Sequence, residues 1–333
     1  MKNSPLVSIC CLAYNQESFI KKTIEGFLLQ KTNFPYEIII HDDASKDRTK
    51  EIIAGFAREF PDIIIPIFQK ENQYSKGNTA LLDCFVFPIV RGKYIATCEG
   101  DDYWIDPYKL QKQVDFLEKN PDYGLVYTNS KLLFQETGVL KNKGIMSKEY
   151  KSFEDLLIAS YSNITNLTVL IRTCNVNDYV KDIQPIHKHW LLGDYPTWLF
   201  TARISKLKLL KDITGVYRWQ KESASHSSSS QKVLDFHLSV YSIKMFFVEK
   251  YNVNDNVVLK LKNNHFKNII NYAVINNDHV CIKECIEFLK EKKMYDKLML
   301  VNILFFLKRF NLYYDFFSNL FIHLWKEEII NVN

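Results

Sequence analysis

The chain has 333 residues, 47% of them hydrophobic and 24% charged, enough to bury a full core and to divide into one large domain and an appendage. Its 43 basic side chains face 38 acidic ones, a net charge of +5 that is too balanced to imply a nucleic-acid partner. Seven cysteines without paired spacing argue against a disulfide framework, and the absence of a signal-type leader or of about 18 uninterrupted apolar residues argues against a membrane span. A cytoplasmic chain is therefore expected, with Cys10, Cys11, Cys84 and Cys98 as core thiols. Cys281 and Cys285 lack the further Cys or His pair that zinc needs. Aromatic residues reach 14%, so a large aromatic surface must be buried or must face a partner.

In chain order, apolar β-rich runs alternate with helix-period segments. LVSICCL is followed by a helix near 18–30, EIIIH by a helix near 47–60, IIIPIF by a helix near 79–87, and then comes YIATC. This alternation predicts an α/β fold with a mostly parallel central sheet covered on both faces. Ile20, Ile24, Phe27 and Leu28 form the apolar stripe of the first helix, and Ile52, Ile53, Phe56 and Phe60 that of the second. Polar residues follow the strand ends: Ala13, Tyr14 and Asn15 after the first, Asp42 and Asp43 after the second, Glu99, Asp101 and Asp102 after the fourth. Ligands of open α/β sheets bind at that edge.

Beyond this half, GLVYT, NLTVLI and ITGVYRW read as strands and the stretch from Trp190 to Ser205 as a helix. The SASHSSSS segment, 223–230, has linker composition, and from about residue 232 the pattern is wholly helical. The expected organisation is an α/β domain over 1–230, in two halves (1–123 and 124–230), and a helical region over 231–333.

Three carboxylates within four residues at a strand end call for a hard cation such as Mg²⁺ or Mn²⁺, which keeps coordination positions open for substrate phosphates. The alternative is an acidic turn ahead of a helix that starts at Asp106 and Pro107.

Five segments, VSICCLAYN, IIIHDDASKDRT, GKYIATCEGDD, GDYPTWL and GVYRWQKESAS, resemble in order and spacing a family 2 glycosyltransferase of the glycosyltransferase-A fold. They span residues 6 to about 225, roughly two-thirds of the chain. The resemblance implies an inverting, metal-dependent transfer of sugar from a nucleotide sugar, a UDP-sugar in the leading reading, to a glycan or lipid-linked saccharide. It places the nucleotide on Ala13, Tyr14, Asn15, Glu17, Asp42 and Asp43, with Asp47 left to cap the next helix. It makes Asp101 the ligand of Mn²⁺ or Mg²⁺, with Glu99 and Asp102 beside the donor, and Asp194 the general base. Lys76 and Arg218 are candidate diphosphate partners, each against a structural ion pair; Tyr103 and Trp104 either wall the sugar or fill the core.

Three positions depart from the family pattern. Glu99 stands where the first Asp of an Asp-x-Asp element is usual, Gly193 where an acidic residue precedes the base, and Gln220 where a His follows Tyr-Arg, with His226 as its one nearby substitute. His187 and His189 do not suit a metal role. The departures favour a second reading, a non-catalytic nucleotide-binding scaffold in a glycan-assembly complex; retention of Asp43, Asp101 and Asp194 argues against it. A nucleotidyltransferase or a dinucleotide dehydrogenase would need a glycine-rich loop after the first strand, and residues 13–18 offer none. The aromatic, basic stretch 295–326 is a candidate for peripheral membrane contact, against packing on the chain itself or on a second subunit as a homodimer.

Overall fold

Strand β1 (Val7–Ala13) is the axis of the sheet, paired in parallel with β2 (Tyr36–Asp42) on one side and β4 (Tyr94–Glu99) on the other. In this computed structural model residues 4–141, 147–159, 163–185, 188, 190–221 and 229–275 are described, together with Lys283, Ile286 and Lys290. Among them nine strands form one sheet. Beyond β2 lies β3 (Ile64–Phe68); beyond β4 come, in spatial order, β8 (Leu170–Arg172), β6 (Tyr123–Phe134), β9 (Lys206–Trp219) and β5 (Tyr103–Trp104), with β7 (Val139–Lys141) antiparallel on β6. The half from β3 to β4 is wholly parallel; the second half is mixed, since β8 runs against both neighbours while β6 and β9 are parallel.

The parallel strands are continuous apolar runs because both faces are covered: Val7, Ile9 and Cys11 of β1 and Ile38, Ile39 and Ile40 of β2 are fully buried. Helix α1 (Ile20–Leu28) lays Ile20, Ile24 and Phe27 on this core. Gly26 brings its backbone onto β5, where an added Cβ would stand 3.0 Å from the Trp104 backbone. Helix α2 (Thr49–Glu59) buries Ile53 fully and leaves Ile52, Phe56 and Phe60 half-covered. Helix α3 (Lys109–Lys119) follows the Asp106–Pro107 start, with the Tyr108 N–H donating to Asp106 Oδ1 at 2.9 Å. Helices α4 (Phe153–Ile158), α5 (Thr173–Ile183) and α6 (Asp194–Ile204) lie between the later strands in the chain.

Two sequence expectations give way. The helix expected over 79–87 is a single wide turn at Leu82–Val86 followed by a tight turn at Phe87–Ile89. Pro88 stops an α-helix from running on, because it has no N–H to donate to the Cys84 carbonyl, although Phe87 before it keeps helical dihedrals. Cys84, in that turn, is half-buried rather than core. The run NLTVLI is a strand only from Leu170; Asn166–Thr168 is a tight turn.

The chain forms two compact units, one of residues 1–157 with 161–221, the other of 158–160 with 222–333. The second contains α7 (Ser230–Lys250) and α8 (Asp255–Ile275), and within it the buried Lys244 ammonium donates to the Ala159 carbonyl at 2.5 Å. No helix of the described residues is long and apolar enough to cross a membrane. His187, His189, His226, Cys281, Cys285 and the 295–326 stretch lie outside the described residues.

Lys109 of α3 is fully buried, 4.2 Å over the Trp104 ring, with its Nζ donating to Gln113 Oε1 at 2.8 Å. Burial lowers its pKa to about 7. Between that value and the ordinary lysine pKa near about 10.4, the unfolded chain holds a proton that the folded chain lacks, so stability rises with pH there, by at most about 1.4 kcal/mol per unit. Urea unfolding of wild type and Lys109→Met at about pH 7 and about pH 9 is expected to show a wild-type gain across that interval that the variant does not share. Parallel pH profiles would refute a buried titrating ammonium.

Candidate functional site

The register fixes the site edge before any side chain is considered. Ala13 pairs with Asp42 and Leu12 with Glu99, so β1, β2 and β4 end side by side where the chain leaves β1 in two directions across the sheet.

The loops after β1 and β2 are zipped together. Asn15 takes the left-handed conformation (φ 51°), which Asn tolerates better than most residues; its N–H donates to Ser45 Oγ at 2.9 Å and its Oδ1 accepts from the Lys46 N–H at 2.8 Å. The Glu17 N–H donates to Asp47 Oδ2 at 3.0 Å, while Glu17 Oε2 accepts from the Arg48 N–H at 2.9 Å. Asp47 Oδ1 also accepts from the Thr49 N–H at 3.0 Å, the helix-capping role expected of it. Asn15 and Glu17 thus shape the loop pair, and Tyr14, 41% exposed between them and β1, presents an aromatic ring at the edge.

Both members of the Asp pair are buried, to different ends. Asp43 is a three-way staple: its carboxylate accepts from the Gln73 and Tyr74 N–H groups at 2.8 and 3.0 Å, its carbonyl from Asn72 Nδ2 at 3.0 Å, and its own N–H donates to the Ala13 carbonyl at 2.9 Å. Asp42 Oδ2 accepts from the Ser45 N–H at 3.3 Å, whereas its buried Oδ1 has no partner among the described residues. Burial raises the Asp42 pKa. Lys76 stands exposed in the turn at Tyr74–Lys76, paired with Glu71.

The acidic loop after β4 is held from behind. Thr23 Oγ1 of α1 lies 2.8 Å from the Gly100 carbonyl and 2.6 Å from that of Asp102. A Cβ at Gly100 would displace the end of the Gln16 side chain and press on the Leu12 carbonyl at 3.2 Å. From the end of β9 the Arg218 N–H donates to Asp102 Oδ1 and its Nε to the Asp101 carbonyl, both at 2.7 Å. The guanidinium, 4.3 Å over the Phe19 ring and bonded to Gln135 Oε1, is 8% exposed. Among the described residues Arg218 is therefore in no ion pair, and it is not turned to solvent; it organises the loop. Trp104 is core, its Nε1 donating to the Leu167 carbonyl at 2.8 Å, and Tyr103 is buried with it.

Two carboxylates of this loop are each met by a neutral amide. Asn166 Nδ2 donates to Glu99 Oε2 at 2.6 Å, and Gln220 Nε2 to Asp101 Oδ2 at 2.7 Å. Burial, then the charges of Asp101 and Asp194, push the Glu99 pKa up to about 8. Burial raises Asp101 as well, against the opposing effect of the Gln220 hydrogen bond, and raises Asp102 well above the usual carboxylate range. Asp194 opens α6 with Oδ1 accepting from the Tyr195 N–H at 2.7 Å, and burial raises its pKa too. An acidic residue at Gly193 would meet no obstacle, since an added Cβ comes no closer than 3.8 Å to the Thr79 carbonyl.

Glu99 thus lies in the field of both Asp101 and Asp194, whereas Asn15 and Glu17 are engaged with the loop after β2 and Lys76 with Glu71 of its own loop. Among the described residues no three His, Cys, Asp or Glu side chains converge to hold a metal ion by themselves. Such oxygen donors would suit Mg²⁺ or Mn²⁺, leaving the other positions to substrate oxygens or water. Thr23 and Asn166 escape sequence reasoning because neither lies in a motif; Gln220 is signalled only by its place two residues after Arg218.

Residues 8–160 match the model of the family described as glycosyl transferase family 2. An uncharacterised protein of Mycobacterium tuberculosis is 31% identical over 226 residues, 68% of this chain and 62% of that protein, so the chain spans less than two-thirds of that relative's length. WfaP of Escherichia coli, named as a UDP-Glc:alpha-D-GlcNAc-diphosphoundecaprenol beta-1,3-glucosyltransferase, is 39% identical over 113 residues, 34% of this chain and 41% of that one. S. aureus TarS 1-349 in complex with UDP-GlcNAc shares the fold with a TM-score of 0.61 at 16% identity, covering 92% of this chain and 88% of that one.

Because the Asp43 carboxylate satisfies two backbone N–H groups in a largely buried position, Asp43→Ala is expected to lower the unfolding free energy by about 1–3 kcal/mol, read from urea denaturation. An unchanged midpoint would show that the staple is dispensable.

Proposed function

Because the chain belongs to glycosyltransferase family 2, we propose that it transfers a sugar from a UDP-sugar to a hydroxyl of a glycan or lipid-linked saccharide, with inversion and with the help of Mn²⁺ or Mg²⁺. The observation that carries this reading is the placing of Glu99 and Asp101 on the loop at the end of β4, beside β1, with the charges of both Asp101 and the half-buried Asp194 of α6 acting on Glu99. The UDP-sugar in the name of the E. coli relative and the UDP-GlcNAc in the S. aureus structure support the donor class. The diphosphoundecaprenol in the former supports a lipid-linked acceptor.

The nucleoside lies against the β1 and β2 loops, where Tyr14 offers a ring face and Asp42 Oδ1 an acceptor for a base N–H or ribose hydroxyl. Asp101 would hold the ion through the oxygen that does not face Gln220. The bound ion supplies neutralisation of the charge that grows on the leaving diphosphate. Asp194 takes the proton of the acceptor hydroxyl as that oxygen bonds to the anomeric carbon from the side opposite the leaving group. The carbon–oxygen bond to the diphosphate breaks, and UDP departs with the electron pair. One displacement inverts the centre. Burial suits Asp194 to this work, because a raised pKa makes its carboxylate a stronger base than an exposed one.

UDP release from a panel of UDP-sugars, with water or added saccharide as acceptor, tests the assignment. Asp194→Asn is expected to lose at least about 100-fold in kcat while binding UDP as wild type does. The acidic limb of the wild-type kcat profile should lie above about pH 4, the ordinary Asp value, since activity is lost as pH falls through the raised pKa. Full activity in Asp194→Asn would remove it from the proton transfer.

A further inference from the structure

We propose that Gln220 is a positioning residue that reserves one oxygen of Asp101 for the cation, so that ion and nucleoside diphosphate bind this chain as a unit and the ion is not held without the nucleotide. This rests on the function proposed above. Three observations carry it. The Gln220 amide donates to Asp101 Oδ2 at 2.7 Å, which orients the carboxylate and leaves Oδ1 without a side-chain donor among the described residues. An amide N–H₂ donates and cannot ligate, so this side chain adds no ligand through the atom that faces the carboxylate. Glu99, the neighbouring carboxylate, has Oε2 occupied by Asn166 in the same manner, and no trio of His, Cys, Asp and Glu converges among the described residues.

The chain also fixes the amide's own position. Gln220 follows Trp219, the last residue of β9, and two residues earlier Arg218 ties the same strand end to Asp102 Oδ1 and the Asp101 carbonyl. Strand end and acidic loop are thus clamped by three hydrogen bonds, of which the Gln220 bond alone reaches the Asp101 carboxylate. Losing it frees the carboxylate to rotate. Outer hydrogen bonds of this kind are worth about 10- to 100-fold in metal affinity.

The test is titration calorimetry on the full chain. Mn²⁺ is titrated into wild type with and without saturating UDP, and UDP is titrated with Mn²⁺ and with EDTA into wild type, Gln220→Ala and Gln220→Met, the last keeping the side-chain length without a donor. In wild type, Mn²⁺ binding is expected only with UDP present. In both variants the gain in UDP affinity on replacing EDTA by Mn²⁺ should shrink by about 10-fold or more, with affinity in EDTA unchanged. A merely structural Gln220 would lower UDP affinity equally in both conditions or leave it untouched, and either result overturns the proposal. So does Mn²⁺ binding to the free wild-type chain as tightly as to its UDP complex. Absence of UDP binding in wild type under every condition would instead overturn the donor-site reading beneath it.

Discussion

Desolvated negative charge is the constraint on which the rest of this structure depends. Asp102 is buried and Glu99, Asp101 and Asp194 are half-buried at one sheet edge, and among the described residues none of them forms an ion pair. Their hydrogen bonds come from neutral groups: the Asn166 and Gln220 amides and the N–H groups of Arg218 and Tyr195. Neutral donors lower the cost of burial without cancelling the charge, so the edge stays attractive to a cation. A lysine or arginine paired with the Asp101 carboxylate would remove that attraction; Arg218 instead donates to the Asp101 carbonyl, and its charge only partly offsets that of Asp101 and Asp102.

The scaffold serves this arrangement. Parallel pairing of β1 with both β2 and β4 sets three loops side by side, and the loops then fix one another through Asn15, Glu17, Asp43 and Asp47 rather than through a packed core. Helix α1 supports the acidic loop through Thr23, and β9 closes it from the opposite side. Residues expected to touch ligand have in several cases become the struts that hold the ligand-facing backbone. Arg218 is the clearest instance: its guanidinium lies against Phe19 and bonds to loop atoms.

Much of the fold was legible because burial writes a period into the chain. The apolar runs of β1, β2 and β4, the α1 stripe and the carboxylates at the strand ends all follow from it. What could not be read is partner choice over distance. Asp101 and Gln220 are 119 positions apart, and Asp102 and Arg218 116, so no local pattern links them. The same limit explains why Asn166 looked like the start of a strand, and why the apolar stretch around Leu82 looked like a helix until Pro88 broke it. Of the three departures from the family pattern, Glu99 and Gln220 each have a specific hydrogen-bond partner, whereas nothing in the geometry demands glycine at 193.

The most direct measurement is calorimetric titration of UDP, with GDP as comparator, into wild type and Asp101→Asn, each with Mn²⁺ and with EDTA. If Asp101 joins the ion to the donor diphosphate, wild type binds UDP more tightly with Mn²⁺ than with EDTA, and Asp101→Asn abolishes that difference while remaining folded. Equal UDP affinity in all four conditions, or none in any, would contradict a metal-assisted donor site at this sheet edge.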